Sequence, residues 1–189
     1  MSWRELAVAG HTGDEPLARG ALDDPDPQAR ELALGALDRM GRLTDTDLRT
    51  ATQDAVASVR RRAAMISARY PEIAVLPLLD DADAVVVEAA AWAAGEREVA
   101  DDAVVTRLVA LATSASDALV REAAVASLGA IGDARGLPAI LAACSDKPAV
   151  RRRAVLALAP FDGPEVDAAL AVAREDRDWQ VRQAAEDVS

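Results

Sequence analysis

Histidine, cysteine and lysine each occur once in this 189-residue chain, as His11, Cys144 and Lys147. One cysteine excludes an internal disulfide. One histidine and one cysteine exclude a zinc site built from several such ligands within a single chain. Aromatic residues make up only 3% of the sequence. A β-sandwich of this size would want more Val, Ile, Tyr and Phe. No apolar run reaches the length of a bilayer span, since AVVVEAAAWAAG is short and broken by Glu88. The opening MSWRELAVAG carries Arg4 and Glu5 and has no apolar stretch of the secretory kind. Excess positive charge is also missing: the net charge is −11 and the pI about 4.5. A protein that tracks a phosphate backbone presents the opposite balance. These absences lead us to expect a soluble cytoplasmic protein with no membrane or nucleic-acid partner.

What the chain has in quantity is small apolar residues. Half of it is hydrophobic (51%), mostly Ala, Val and Leu. Such a core needs helices that approach closely. The near-exclusive use of arginine as the cation, together with the alanine content, suggests a GC-rich bacterial genome.

Five segments superimpose: DPDPQARELALGALDRM, ASVRRRAAMISA, ALVREAAVASLGAIG, PAVRRRAVLALA and WQVRQAAEDV. Their anchoring arginines are Arg30, Arg60, Arg121, Arg151 and Arg182, spaced by 30, 61, 30 and 31 residues. The long gap holds a sixth copy, AVVVEAAAWAAG, with Val87 in the arginine position. Each copy has an earlier part of its own. Pro16, Pro77 and Pro138 stand near the start of three of these, where a helix tolerates proline. Asp26, Asp83, Asp117 and Asp178 stand four residues before the anchor position and suit helix capping. Copies two and five depart, with Val56 and Lys147 there and Asp54 and Asp146 nearby. Each copy therefore reads as helix A, an acidic turn and helix B. In copy four the apolar positions of B are Val120, Ala123, Ala124, Ser127, Leu128 and Ile131, at helical spacing.

The expected fold is all-α: an α-solenoid of about six helical hairpins forming one domain over residues 1–189. Residues 1–12 form an N-terminal cap, and the last repeat, polar at Glu186 and Asp187, caps the other end. On that reading the protein is complete, and we expect a monomer. Trp3 and Trp179 are expected to cover the two ends of the core.

The Asp-to-Arg spacing and the A-helix proline resemble the HEAT-like repeats of the phycobilisome-lyase type, over nearly the whole chain. The resemblance implies a right-handed stack with B helices lining the concave side, and arginines paired with turn aspartates of neighbouring copies. It also implies protein binding as the commonest role, without choosing a partner.

Chemistry has few footholds. His11, in GHTGDE, reads as a solvated turn, and one histidine cannot form the paired His-Glu motifs of the HEAT-fold iron hydroxylases. Cys144 lies four repeats from that only histidine, so it reads as core rather than nucleophile. The runs Asp23–Asp24–Asp26 and Asp80–Asp81–Asp83 lack the glycine and terminal glutamate of a calcium loop. GAIGDARG has the wrong spacing for a phosphate loop. No catalytic residue, metal or cofactor is expected.

A surface remains. Arginine is tripled at Arg60–Arg61–Arg62 and Arg151–Arg152–Arg153, giving basic spots on an acidic chain. Trp92 lies five residues past the anchor position of copy three, in a column with Gly35, Met65, Ala126, Leu156 and Asp187. The column four residues earlier holds Glu31, Arg61, Glu88, Glu122, Arg152 and Gln183. Trp92, Met65, Arg61, Arg62, Glu88 and Arg152 are the candidate partner-binding residues, Trp and Arg being enriched at binding hot spots. The alternative for Trp92 is plain filling of space among alanines. The expected function is a non-enzymatic interaction module or scaffold that takes a partner segment in its groove. A chromophore-lyase-type maturation factor, or a HEAT-like DNA glycosylase, are the alternatives.

Overall fold

A computed structural model describes residues 2–97 and 101–188. All regular structure among them is helical: thirteen α-helices and two short 3-10 segments. The chain divides into two compact units, Met1–Ala93 and Ala94–Ser189.

The first unit runs α1 (Trp3–Thr12), α2 (Glu15–Gly20), α3 (Pro27–Met40), α4 (Asp45–Ala51), α5 (Ala57–Ile66), α6 (Leu76–Leu79) and most of α7 (Ala84–Gly95). Helices α1, α3 and α5 pack in succession, and α2 and α4 lean on them from one side. The core between them is leucine and alanine: Leu34, Leu37, Leu48, Ala63 and Ile66 are buried together. The A helix of copy three shrinks to the single turn of α6. His11 lies in the last turn of α1 rather than in a loop, with Nε2 3.1 Å from Arg39.

The second unit contains α8 (Asp102–Ser114), α9 (Ala118–Ile131), α10 (Leu137–Ala143), α11 (Pro148–Ala157), α12 (Pro164–Arg174) and α13 (Trp179–Asp187). Here α9, α11 and α13 pack in succession, backed by α8, α10 and α12. Val120, Ala124, Ser127 and Leu128 of α9 are buried, following the helical spacing in its sequence.

The prolines Pro16, Pro77 and Pro138 each sit in the first turn of an A helix, where no backbone N–H is lost. The aspartates four residues before the anchor do cap. Asp26, Asp117 and Asp178 accept from the N–H of Gln28, Leu119 and Gln180, and Asp83 accepts from Val85. Val56 and Lys147 make no side-chain cap.

Asp54 and Asp146 are therefore not displaced caps. They belong to a second aspartate column, with Asp81 and Asp176, that receives the anchoring arginines. Arg30 donates twice to the Asp54 carboxylate at 2.8 Å, and Arg60 twice to Asp81 at 2.7 and 2.8 Å. In the second unit Arg121 donates to Asp146 at 2.6 and 2.8 Å, and Arg151 to Asp176 at 2.9 Å. The third guanidinium nitrogen holds the arginine's own turn: Arg30, Arg60, Arg121, Arg151 and Arg182 reach the carbonyls of Asp24, Asp54, Ala115, Asp146 and Asp176. Asp54 in the first unit, and Asp146 and Asp176 in the second, thus each give a carboxylate to the preceding copy's arginine and a carbonyl to their own. The planar fork of arginine suits this double task, which an ammonium could not perform. In the sequence, Val87 replaces the anchoring arginine of copy three, and copy four carries Ala115 two residues before its capping Asp117.

The ladder sets an acid response. Arginine hydrogen bonds hold Asp81, Asp146 and Asp176 below the usual carboxylate range, against the opposing effect of burial. For Asp54 burial is the larger single influence and pushes upward, but Arg30, the Val56 N–H and nearby charges outweigh it. Carboxylates depressed in the folded state contribute stability above their unfolded value of 3.8. That contribution is lost as pH falls through the folded values. The stability gap between wild type and Arg121→Ala is therefore expected to be constant from about pH 7 to 5 and to shrink below about pH 4. Urea midpoints across pH measure it; a gap that widens in acid would contradict the pairing.

Candidate functional site

Helices α3, α5 and α7 present a groove of about 470 Å³ within the first unit. Gly35, Asp38, Arg39, Arg62, Met65, Ile66, Arg69 and Trp92 line it. Trp92 is 42% exposed, so it does not serve as core filling.

Residues 62, 65, 66 and 69 lie at i, i+3, i+4 and i+7, which makes them one stripe of a helix and its continuation. That stripe holds the candidates Arg62 and Met65, and the groove brings them together with Trp92 of α7. Arg61 does not line the groove, because it sits one residue, about 100° of helix, from Arg62. Glu88, four residues before Trp92 on the same side of α7, does not line it either. Arg152 lies in the second unit, half-buried, with its Nε buried and making no hydrogen bond. The sequence reading missed Asp38, Arg39 and Arg69. Their signal was present: each lies three, four or seven residues along from a groove-lining position of its own copy.

Glycine at position 35 makes room for a cation. A Cβ there would come within 2.3 Å of Arg62 Nη2. Arg62 therefore lies flat across the backbone of α3, with its Nε buried and without a hydrogen-bond partner. Arg69 pairs with Asp38, which also accepts from the Tyr70 hydroxyl at 3.3 Å. The Arg69 side chain stays 64% exposed in that pair.

The second unit repeats the groove on the corresponding positions, again about 470 Å³. Ala126, Arg153 and Leu156 line it, but Ala130 and Pro160 replace the arginines equivalent to Arg39 and Arg69. Arg153 stands 3.6 Å from Glu122, so its charge is partly answered from within. The two grooves share a geometry and differ in charge.

Other candidates for chemistry are placed elsewhere. Burial pushes the Cys144 thiol up to about 11, and its sulfur faces the Ile140 carbonyl at 3.5 Å, the setting of an inert thiol. Among the described residues no three His, Cys, Asp or Glu side chains are grouped to hold a metal ion. No described helix is long and apolar enough to cross a membrane. Trp3 and Trp179, expected to cover the ends of the core, are 57% and 64% exposed, and Trp3 donates its indole N–H to Asp26 at 2.6 Å.

A family model for HEAT repeats matches residues 72–148 and 120–188, together more than half of the chain. The chain belongs to the HEAT repeat family. The phycobilisome-lyase subtype is not distinguished by that match. Solved structures agree on the fold of this HEAT repeat protein. A designed armadillo repeat protein in complex with the peptide (KR)4 is 19% identical with a TM-score of 0.67, over 93% of this chain and 98% of that one. A second designed armadillo repeat protein gives 0.63 at 19% identity, over 92% and 97%. Human deoxyhypusine hydroxylase, in complex with glycerol, gives 0.51 at 20% identity, over 97% of this chain and 75% of that one. Among curated proteins none matches.

Proposed function

We propose that this HEAT repeat protein is a non-enzymatic interaction module, a cytoplasmic and monomeric bacterial scaffold that takes a segment of a partner protein in the groove of its first unit. The observation that carries the reading is the half-exposed Trp92 lining a groove with Met65 and Arg62. A soluble protein leaves a large aromatic in such a position at a cost in exposed apolar surface, and partner hot spots are built from these residue types. The likeness in fold to a designed repeat protein that holds a peptide supports the same use of the surface. The likeness to a hydroxylase, at 20% identity, is one of fold alone, and the single histidine of this chain supports the non-enzymatic reading. Residues 1–189 are taken as one repeat domain, since the copy pattern runs on from Val87 to Arg121.

Affinity capture with the wild type, Trp92→Glu and Val172→Glu tests this. Val172 is 74% exposed on α12 and serves as the control. A defined protein is expected to be retained by wild type and Val172→Glu and reduced at least about tenfold by Trp92→Glu, as for loss of a hot spot. Equal retention by all three, or specific retention by none, would remove the groove from consideration.

A further inference from the structure

The groove of the first unit has a charge character that the whole chain does not. The chain carries a net charge of −11, yet this groove gathers Arg39, Arg62 and Arg69 around one carboxylate, Asp38. That carboxylate is already engaged by Arg69 and Tyr70. Arg62 is held flat over Gly35 with its Nε buried and without a hydrogen-bond partner. The terminal nitrogens of Arg62 are not among its buried atoms and can donate charged hydrogen bonds to an incoming carboxylate. The equivalent groove of the second unit shows that the fold does not require these cations, since Ala130 and Pro160 fill two of the same positions.

Resting on the reading of this groove as the partner site, we infer that its occupant is an acidic segment of another protein. Its carboxylates face Arg62, Arg69 and Arg39, and an apolar side chain rests on Trp92 and Met65. Charge complementarity selects this occupant: an acidic chain repels acids at long range, so only a local guanidinium cluster with an apolar anchor accepts one. The preference is opposite in sign to the basic peptide (KR)4 held by the designed relative.

Selection from a random peptide library, with the intact chain as bait, tests the inference. Asp and Glu are expected to be enriched about threefold or more in the retained peptides, alongside Leu, Phe or Trp, as electrostatic complementarity requires. A synthesised representative should lose about tenfold in affinity between about 50 mM and about 500 mM NaCl, by screening. It should lose about tenfold again on the folded Arg62→Gln/Arg69→Gln variant, two charged hydrogen-bonding groups being removed. Circular dichroism of the variant checks that it is folded, and Gly35→Ala gives a second route, since it displaces the Arg62 guanidinium without removing it. Enrichment of basic or neutral peptides that are lost on Trp92→Glu would overturn the acidic preference while leaving the groove as the partner site. Peptides that bind Trp92→Glu as well as wild type, or no enrichment at all, would overturn both.

Discussion

Replacing Arg151 by alanine is expected to destabilise the protein by about 3 kcal/mol, the range for removing one partner of a buried ion pair. Arg151 is 7% exposed and makes three hydrogen bonds, two to Asp176 and one to the Asp146 carbonyl. Its removal leaves the Asp176 carboxylate with the Asp178 N–H as its remaining hydrogen bond and a charge that was balanced in place. Arg151→Lys should recover only part of the loss, because an ammonium cannot span a carboxylate and a carbonyl in fixed directions. The double variant Arg151→Ala/Asp176→Ala should be more stable than Arg151→Ala by about 1 kcal/mol, since the stranded charge goes with the acid. Arg177→Ala, on an exposed neighbour, should stay within about 0.5 kcal/mol of wild type. Urea unfolding followed by circular dichroism measures all four. A cost for Arg151→Ala no larger than that for Arg177→Ala would mean that the ladder adds nothing to stability.

Gly129→Ala is expected to cost about 2 kcal/mol, although alanine is the better helix former by about 1 kcal/mol. A Cβ on Gly129 would fall 2.6 Å from Cα and Cβ of Ala157 and 2.9 Å from its carbonyl oxygen. These are mainly backbone atoms of α11, so two helices must separate and the buried alanines between them lose contact. Gly35→Ala reverses the sign. There the Cβ meets Arg62 Nη2, the far end of a flexible side chain that can swing aside. Stability should be unchanged or raised by up to about 1 kcal/mol, the helix-propensity gain. Thermal unfolding of the two variants side by side is the measurement. Equal destabilisation would show that the Arg62 position is held by the core rather than fitted to the groove.

Much of this architecture was legible in the sequence because the repeat imposes it. The arginine spacing gave the copy number, the prolines marked the A helices, and the aspartates four residues before the anchors proved to be caps. The aspartates one or two residues before the cap positions were harder, since capping and pairing both ask for Asp in a turn. Asp54 and Asp146 became distinguishable only when their carboxylates were seen to meet Arg30 and Arg121. The candidate residues held both neighbours, Arg61 and Arg62, and only Arg62 lines the groove with Met65 and Trp92. Position 61 and position 62 both precede Met65 at helical spacing, and only the rotation of α5 against its neighbours decides which faces the groove. Arg39 and Arg69 escaped because they fall near the ends of their B helices, outside the repeated motif. The degree of exposure of Trp3 and Trp179 was not legible, because it depends on neighbours that the local sequence does not specify.

A photo-crosslinking residue placed at Met65 in living cells tests the central claim most directly, with the same residue at Val172 as the comparison. The account predicts one dominant crosslinked protein from position 65, absent from position 172 and suppressed by Trp92→Glu. The same products from both positions, or none from position 65 in a folded and expressed chain, would contradict it.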